Sequence, residues 1–245
     1  MTRSSLAAQP TSVCFESQAR THPGNRRSVN EDRVLDRPDA GLWAVADGMG
    51  GHQAGDVAAA RVVDALCAIE PSGSGYSRLV DVLRAVDRVN TALADGGSRS
   101  GSTLVALLAH EGHYACVWAG DSRAYLLRDG TLSPITRDHS IVQQLIDGGA
   151  LAESERRGHP SAHVITRAVG AAPRIELDQQ FAPIAAGDIF LLCSDGLIAC
   201  LDDDDISAAL QTGDVAQLAD RLLSLALARG APDNVSVVVV RALQR

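Results

Sequence analysis

Aromatic residues are scarce in this chain of 245 residues: only 3% of positions carry Phe, Trp or Tyr. A core built without them must rest on Ala, Val, Leu and Ile. The 46% apolar and 21% charged content is otherwise that of an ordinary soluble globular protein. No apolar run approaches the roughly 18 residues that a bilayer-spanning helix needs. The opening MTRSSLAAQPTSV has one cation and no apolar stretch after it, so no signal peptide is expected. Positive charge is also short. The formal net charge of -8 argues against a general nucleic-acid binder, which needs clustered cations for phosphates. A small phosphorylated group is not excluded, because one arginine can hold it locally. The five cysteines (Cys14, Cys67, Cys116, Cys193, Cys200) are odd in number, scattered and mostly flanked by apolar residues. Reduced, buried, intracellular cysteines look like this, so a cytoplasmic protein is expected.

The pattern along the chain alternates in blocks. Residues 1–12 are polar and read as a flexible N-terminal segment. VCFESQAR (13–20) and GLWAVAD (41–47) read as strands. From Asp56 the period becomes helical: Ala58, Val62, Ala65/Leu66 and Ile69 share a face, with Arg61 and Asp64 opposite. Leu79, Val82/Leu83, Val86, Val89 and Leu93 repeat the pattern. STLVALLAH, YACVWAG and SRAYLLRDG then suggest an antiparallel meander, and HSIVQQLIDGG a short helix ended by glycines. Residues 149–163 carry no period and read as an exposed excursion. IELDQQFAPI and DIFLLCSDG are strands, DVAQLADRLLSLALARG a helix, and NVSVVVVRAL a closing strand. Blocks of strands and helices, rather than strict alternation, favour an α+β fold.

The glycine-rich stretch VADGMGGHQAGD (45–56) is not a nucleotide loop. For G-x-G-x-x-G the third glycine is missing, since position 53 is Gln. For a Walker loop, Asp56 stands where the lysine belongs and would repel a polyphosphate. HEGH (110–113) is one residue short of H-E-x-x-H and sits at a glycine turn. Cys116 lies within an apolar run where a thiolate is disfavoured, so it reads as core and not as a nucleophile.

Isolated acids carry the chemical signal. Asp47 follows LWAVA, Asp121 follows YACVWAG, Asp195 follows DIFLLCS, and Asp233 precedes VSVVVV; Glu31 and Asp32 sit in VNED. Any one of them alone is best read as a turn or cap. Their recurrence at strand after strand points instead to carboxylates gathered at one sheet edge, where they repel unless cations neutralise them. Oxygen ligands suit Mg²⁺ or Mn²⁺. The Gly48 carbonyl is available to an ion as well. Two such ions about 3.5–4 Å apart position and acidify a water for attack on phosphorus.

RSVNED (27–32), VADGMGGHQAGD (45–56), GST (101–103), AGDSRAY (119–125), LCSDGL (192–197) and APDNVSVVVV (231–240) follow one another in this order. Together they resemble the motifs of bacterial metal-dependent protein phosphatases of the PPM (type 2C) family. The resemblance implies a single phosphatase domain over 13–245, a four-layer α-β-β-α sandwich of two antiparallel sheets flanked by helices, with a flap at 139–163. It implies two Mn²⁺ or Mg²⁺ ions and a weaker third. In that pattern Asp47 resembles the bridging ligand, and Asp195 and Asp233 complete the first metal. Glu31 and the Gly48 carbonyl serve the second, with Asp32 acting through water, and Asp121 serves the third with Asp195. Arg27 resembles the phosphate-binding arginine, and His52 occupies the position of the general acid. The flap's SERRGH reads as a solvated charge run. The acids Asp202–Asp205 read as the cap and first turn of a helix, not as a metal site.

The resemblance therefore implies hydrolysis of phosphoserine and phosphothreonine in proteins, opposing a Ser/Thr kinase, by a monomer with no nucleic-acid or membrane partner. The wording of the motifs is most like stand-alone members tied to type VI secretion. Three other readings stand beside it: a stress-response phosphatase acting on an anti-sigma-factor antagonist, a non-catalytic phosphoprotein-binding module, and a two-metal nuclease. The full set Arg27, Asp47, His52, Asp195 and Asp233 weighs against the binding module, and the acidic charge balance weighs against the nuclease.

Overall fold

The computed structural model describes residues 13–50, 54–96 and 100–245. The N-terminal segment 1–12 and His52 lie outside the described residues. Apolar runs form the centre. β3 (Leu42–Met49), β5 (Leu104–His110), β6 (His113–Ala119), β10 (Ile189–Cys193) and β11 (Val235–Gln244) are buried along most of their lengths on both faces. One sheet has the order β1-β11-β10-β7-β8, where β1 is Val13–His22, β7 is Arg123–Arg128 and β8 is Thr131–Pro134. The other has the order β2-β3-β5-β6-β9, where β2 is Asp32–Arg37 and β9 is Asp178–Pro183, with β4 (Gly101–Ser102) beside β3. The strand pairs are antiparallel throughout.

Burial on both faces follows from the layering. Trp43, Val45, Val105, Leu107, Phe190, Leu192 and Val238 fill the space between the two sheets. The alternate residues Leu42, Ala44, Ala46, Leu104 and Ala106 pack under α1 (Ala54–Cys67) and α2 (Gly75–Asp95). Leu191, Cys193, Val235, Val237 and Val239 pack under α4 (Asp195–Cys200), α5 (Asp203–Leu210) and α6 (Val215–Ala228). Three cores separate four layers, as expected. The few aromatics concentrate between the sheets, where Phe15 meets Trp43 and Tyr114 meets Phe190 edge to face, at centroid distances of 5.2 and 5.1 Å. Each fully buried large side chain contributes about 1.5–3 kcal/mol over leaving it exposed.

Helix ends follow local chemistry. Ser74 Oγ accepts from Ser77 N at the start of α2, and Asp214 with Gln217 forms a capping box on α6. The acid run acts as read. Asp202 caps α5 by accepting from Asp205 N at 2.9 Å, while Asp205 accepts from Asp202 N. Ser140 caps α3 (Ile141–Asp147), which ends at Gly148.

Four expectations need correction. β5, β6 and β7 do not form one meander: β5 pairs with β6, but the chain then crosses to the other sheet at Gly120 (φ +112°), and β7 pairs with β10 and β8. Three apolar runs in succession fit either arrangement, and the core between the sheets selects the crossing. Cys14 and Cys67 are exposed, whereas Cys116, Cys193 and Cys200 are buried; all five are free. Cys14 alternates outward on an edge strand, and Cys67 ends α1. Ile69 falls beyond the end of α1. SERRGH is only partly a solvated run: Ser154, Glu155, Arg157 and Gly158 are exposed, but the Arg156 and Arg157 guanidiniums are tied to the body of the protein, as described below. No helix among the described residues is long and apolar enough to cross a membrane.

Candidate metal centre

Antiparallel pairing explains why acids far apart in sequence share one end of the molecule. β3, β6 and β10 finish at that end, and β2 and β11 begin there. Asp47 lies near the end of β3, directly opposite Asp32 at the start of β2. Asp121 follows β6, Asp195 opens α4 just after β10, and Asp233 precedes β11. Glu31 precedes β2. Six acids from five chain segments thus border one another.

Tight backbone contacts lock these segments together. A methyl group on Gly196 would stand 1.9 Å from the Asn234 carbonyl oxygen, so the turn bearing Asp195 lies flat against the one bearing Asp233. Asn234 then staples a third segment. Its Oδ1 accepts from Glu31 N at 2.8 Å, and its Nδ2 donates to the carbonyls of Pro23 and Val29. Thr103 fixes Asp47 by donating N–H to the Asp47 carbonyl (2.8 Å) and accepting the Asp47 N–H on Oγ1 (3.0 Å). Thr103 Oγ1 in turn pairs with Ser122 Oγ at 2.7 Å, beside Asp121.

The electrostatics show crowding. Asp32 is 1% exposed, and its Oδ2 accepts from both Ser194 Oγ and Ser236 Oγ at 2.7 Å. Desolvation raises its pKa to about 6 against those two hydrogen bonds, with help from the charges of Asp195 and Asp233. Desolvation also raises Asp47 well above the ordinary carboxylate range, and Asp32, Asp195, Asp121 and Asp233 push it further. Asp121 is pushed up to about 8 by desolvation, then by Asp195 and Asp138. The cluster reads as an acid-rich hole in need of positive charge.

Two cations reach it. Arg27 Nη2 donates to Asp233 Oδ2 at 2.7 Å, and this bond raises the guanidinium's pKa. The exposed His163 has Nδ1 3.8 Å from Asp195 Oδ2, and Asp195 raises its pKa as well. Beside the cluster, buried Asp138 accepts two bonds from Arg123, each of 2.8 Å, and one from Arg156 at 3.2 Å. Arg157 donates to the carbonyls of Ile198 and Leu201. Together Arg156 and Arg157 hold the segment Glu153–Gly158 against the body, along a groove of 640 Å³ that reaches Asp121 and Asp195.

The residues fit a hard divalent cation. The gathered donors are carboxylate and carbonyl oxygens. Asp32 Oδ1 is buried with no hydrogen-bond partner, an orphan that an ion or its bound water would satisfy. Among the described residues, no three His, Cys, Asp or Glu side chains stand close enough to hold an ion as they are arranged. The structure brings the segments together without closing them on one point.

Ser194, Ser236, Asn234, Thr103, Ser122, Asp138 and His163 escaped the reading of the sequence. The first five lie within or beside the motifs SDG, APDNVS, GST and GDS. Their adjacency to the acids was the available signal. Asp138 and His163 carried none.

Comparison with known proteins places these features in context. The protein phosphatase 2C family model matches residues 15–145. The chain is 42% identical to serine/threonine protein phosphatase PstP of Mycobacterium tuberculosis over 90% of its own length, but spans only 44% of that relative. It superposes on PppA, a key regulatory component of T6SS in Pseudomonas aeruginosa, with a TM-score of 0.88 and 42% identity, covering 94% of this chain and 98% of that one. The catalytic domain of PstP in complex with two manganese ions superposes with a TM-score of 0.86 and 39% identity, covering 95% and 100%.

Proposed function

Because the chain belongs to the protein phosphatase 2C family, we propose that it hydrolyses phosphoserine and phosphothreonine in proteins with the help of bound Mn²⁺ or Mg²⁺. The observation that carries this reading is the meeting of Asp32, Asp47, Asp121, Asp195 and Asp233 from separate chain segments, where desolvation and the neighbouring carboxylates raise the pKa values of Asp32, Asp47 and Asp121. Asp47, Asp195 and Asp233 would hold a first ion, and Asp47 with Glu31 and the Gly48 carbonyl a second. Asp32 would act through water, and Asp121 with Asp195 would hold a weaker third. When bound, the ions supply the Lewis acidity that makes water a nucleophile at neutral pH.

The chain's own groups do the rest. Arg27 exchanges its bond to Asp233 for two phosphoryl oxygens, which its planar fork matches. His52 donates its imidazolium proton to the departing seryl or threonyl oxygen. The groove beside Glu153–Gly158, which reaches Asp121 and Asp195, offers the phosphopeptide a place next to the flap segment 139–163. Similarity to PppA, a regulatory component of T6SS, supports a role in type VI secretion, and a phosphatase of this kind would there oppose a Ser/Thr kinase. Asp47→Asn and Asp195→Asn should each abolish hydrolysis of p-nitrophenyl phosphate; unchanged activity in either would remove the metal assignment.

A further inference from the structure

A second groove, of 1270 Å³, lies at the other end of the sheets. It is bordered by the β5–β6 turn, the turn Pro38–Ala40, the start of α2 and the start of β1. Asp47 and Asp121 lie at the far ends of β3 and β6, roughly 20 Å away at the rise of a strand. Arg78, from the first turn of α2, lines this groove and is 6% exposed. Its Nη2 donates to the Ala40 carbonyl, and its Nη1 lies 3.4 Å from the Ala109 carbonyl and 3.3 Å from His110 Nδ1. Its Nε is buried with no partner, and so is His110 Nε2.

Carbonyls orient a guanidinium but carry no net charge. Among the described residues no carboxylate pairs with Arg78, and the charge that acts on it is that of Arg37, of the same sign. Desolvation, then Arg37, lowers its pKa. Of the two acids along the groove, Asp39 faces Arg37 and the exposed Glu111 side chain faces His110, from which an entering anion would displace it. Asp39 Oδ2 lies 3.4 Å from Arg37 Nη2, and the Glu111 side chain is 83% exposed, with Oε1 3.6 Å from His110 Nε2, beyond hydrogen-bond reach. A buried cation without a counter-charge is costly, and an entering anion recovers that cost. Gly75 at the groove opens the 21-residue helix α2, whose N-terminus adds positive potential.

We propose that this groove binds a phosphate-type oxyanion between Arg78, His110 and the start of α2, at a site separate from the catalytic end. The oxyanion is either free or carried on a phosphorylated peptide. The test is an amide NMR titration of the full chain with inorganic phosphate and, in a second arm, with a non-hydrolysable phosphonate analogue of a phosphoserine peptide. The proposal expects saturable shifts at Gly41, Gly75, His110 and Gly112, distinct from those at Gly48 and Asn234. Tighter binding in the first arm identifies a free anion, and tighter binding in the second a tethered one. Arg78→Gln should weaken the distal shifts about tenfold or more while leaving the catalytic-end shifts in place. His110→Gln, at a half-exposed position, should weaken them in the same sense and serves if the Arg78 variant does not fold. Shifts confined to the catalytic end when that end is saturated, or distal shifts unchanged in His110→Gln and Arg78→Gln, would overturn it.

Discussion

Gly48 and Gly55 meet backbone to backbone: a methyl group on Gly48 would stand 2.1 Å from the Gly55 carbonyl oxygen. A methyl on Gly55 would in turn stand 2.8 Å from both the Gly48 carbonyl oxygen and Glu31 Oε1. The first turn of α1 therefore seats directly on the end of β3, beside the Glu31 carboxylate. Gly48→Ala or Gly55→Ala should cost about 1–3 kcal/mol by overpacking and weaken Mn²⁺ binding, read by urea melts and metal titration. Normal Mn²⁺ affinity in Gly48→Ala would remove that carbonyl from the proposed centre.

The carboxylate cluster sets an unusual pH dependence for the metal-free chain. Burial pushes the pKa of folded Asp32 up to about 6 and that of Asp121 to about 8, both above the ordinary 3.8 of an aspartate in the unfolded chain. The folded state thus keeps protons that the unfolded state has released, so stability falls as pH rises from about 4 through about 8. After chelation, Tm should be higher at pH 6 than at pH 8.5. Added Mn²⁺ should displace the protons and reverse the trend. A metal-free Tm that rises across this range would contradict the crowding.

Asp138 anchors the flap segment through Arg156 while also holding Arg123. Asp138→Asn unpairs two guanidiniums at once and should cost about 3 kcal/mol or more in urea unfolding. Arg156→Ala leaves Arg123 in place and should cost about 1 kcal/mol, with faster protease cleavage within 149–163. Equal losses in the two variants would show that Arg156, not Asp138, is the anchor.

Most individual strands and helices, and the acids, were legible because they are written in short-range pattern, whereas the order of the four layers came from the resemblance to the PPM family. Runs such as LWAVA and DIFLLC are too apolar to face water on either side, and an acid placed just after each had few structural reasons to be there. The sheet crossing at Gly120 was not legible, since a turn between two apolar strands does not say which sheet receives the second. β2 was missed because DRVLDR is polar, an edge strand whose identity comes from pairing with β3. The clamp on Asp32 by Ser194 and Ser236 spans 162 and 204 residues, a separation no local pattern reports. The acid run at Asp202 was read correctly because capping is local.

His52 lies outside the described residues, so its role is tested by chemistry. A seryl or threonyl alkoxide needs a proton on departure, whereas p-nitrophenolate leaves with little help. His52→Ala should slow phosphopeptide hydrolysis on the order of 10²-fold or more and p-nitrophenyl phosphate hydrolysis much less. Equal losses on the two substrates would remove the general-acid role.

Phosphate release from a phosphothreonine peptide by the purified chain tests the central claim most directly, measured with Mn²⁺ added, after chelation, and after Mn²⁺ is restored. Metal-dependent hydrolysis predicts release with Mn²⁺, loss on chelation and recovery on restoration. Release that persists undiminished after exhaustive chelation, or no release at any Mn²⁺ concentration, would contradict it.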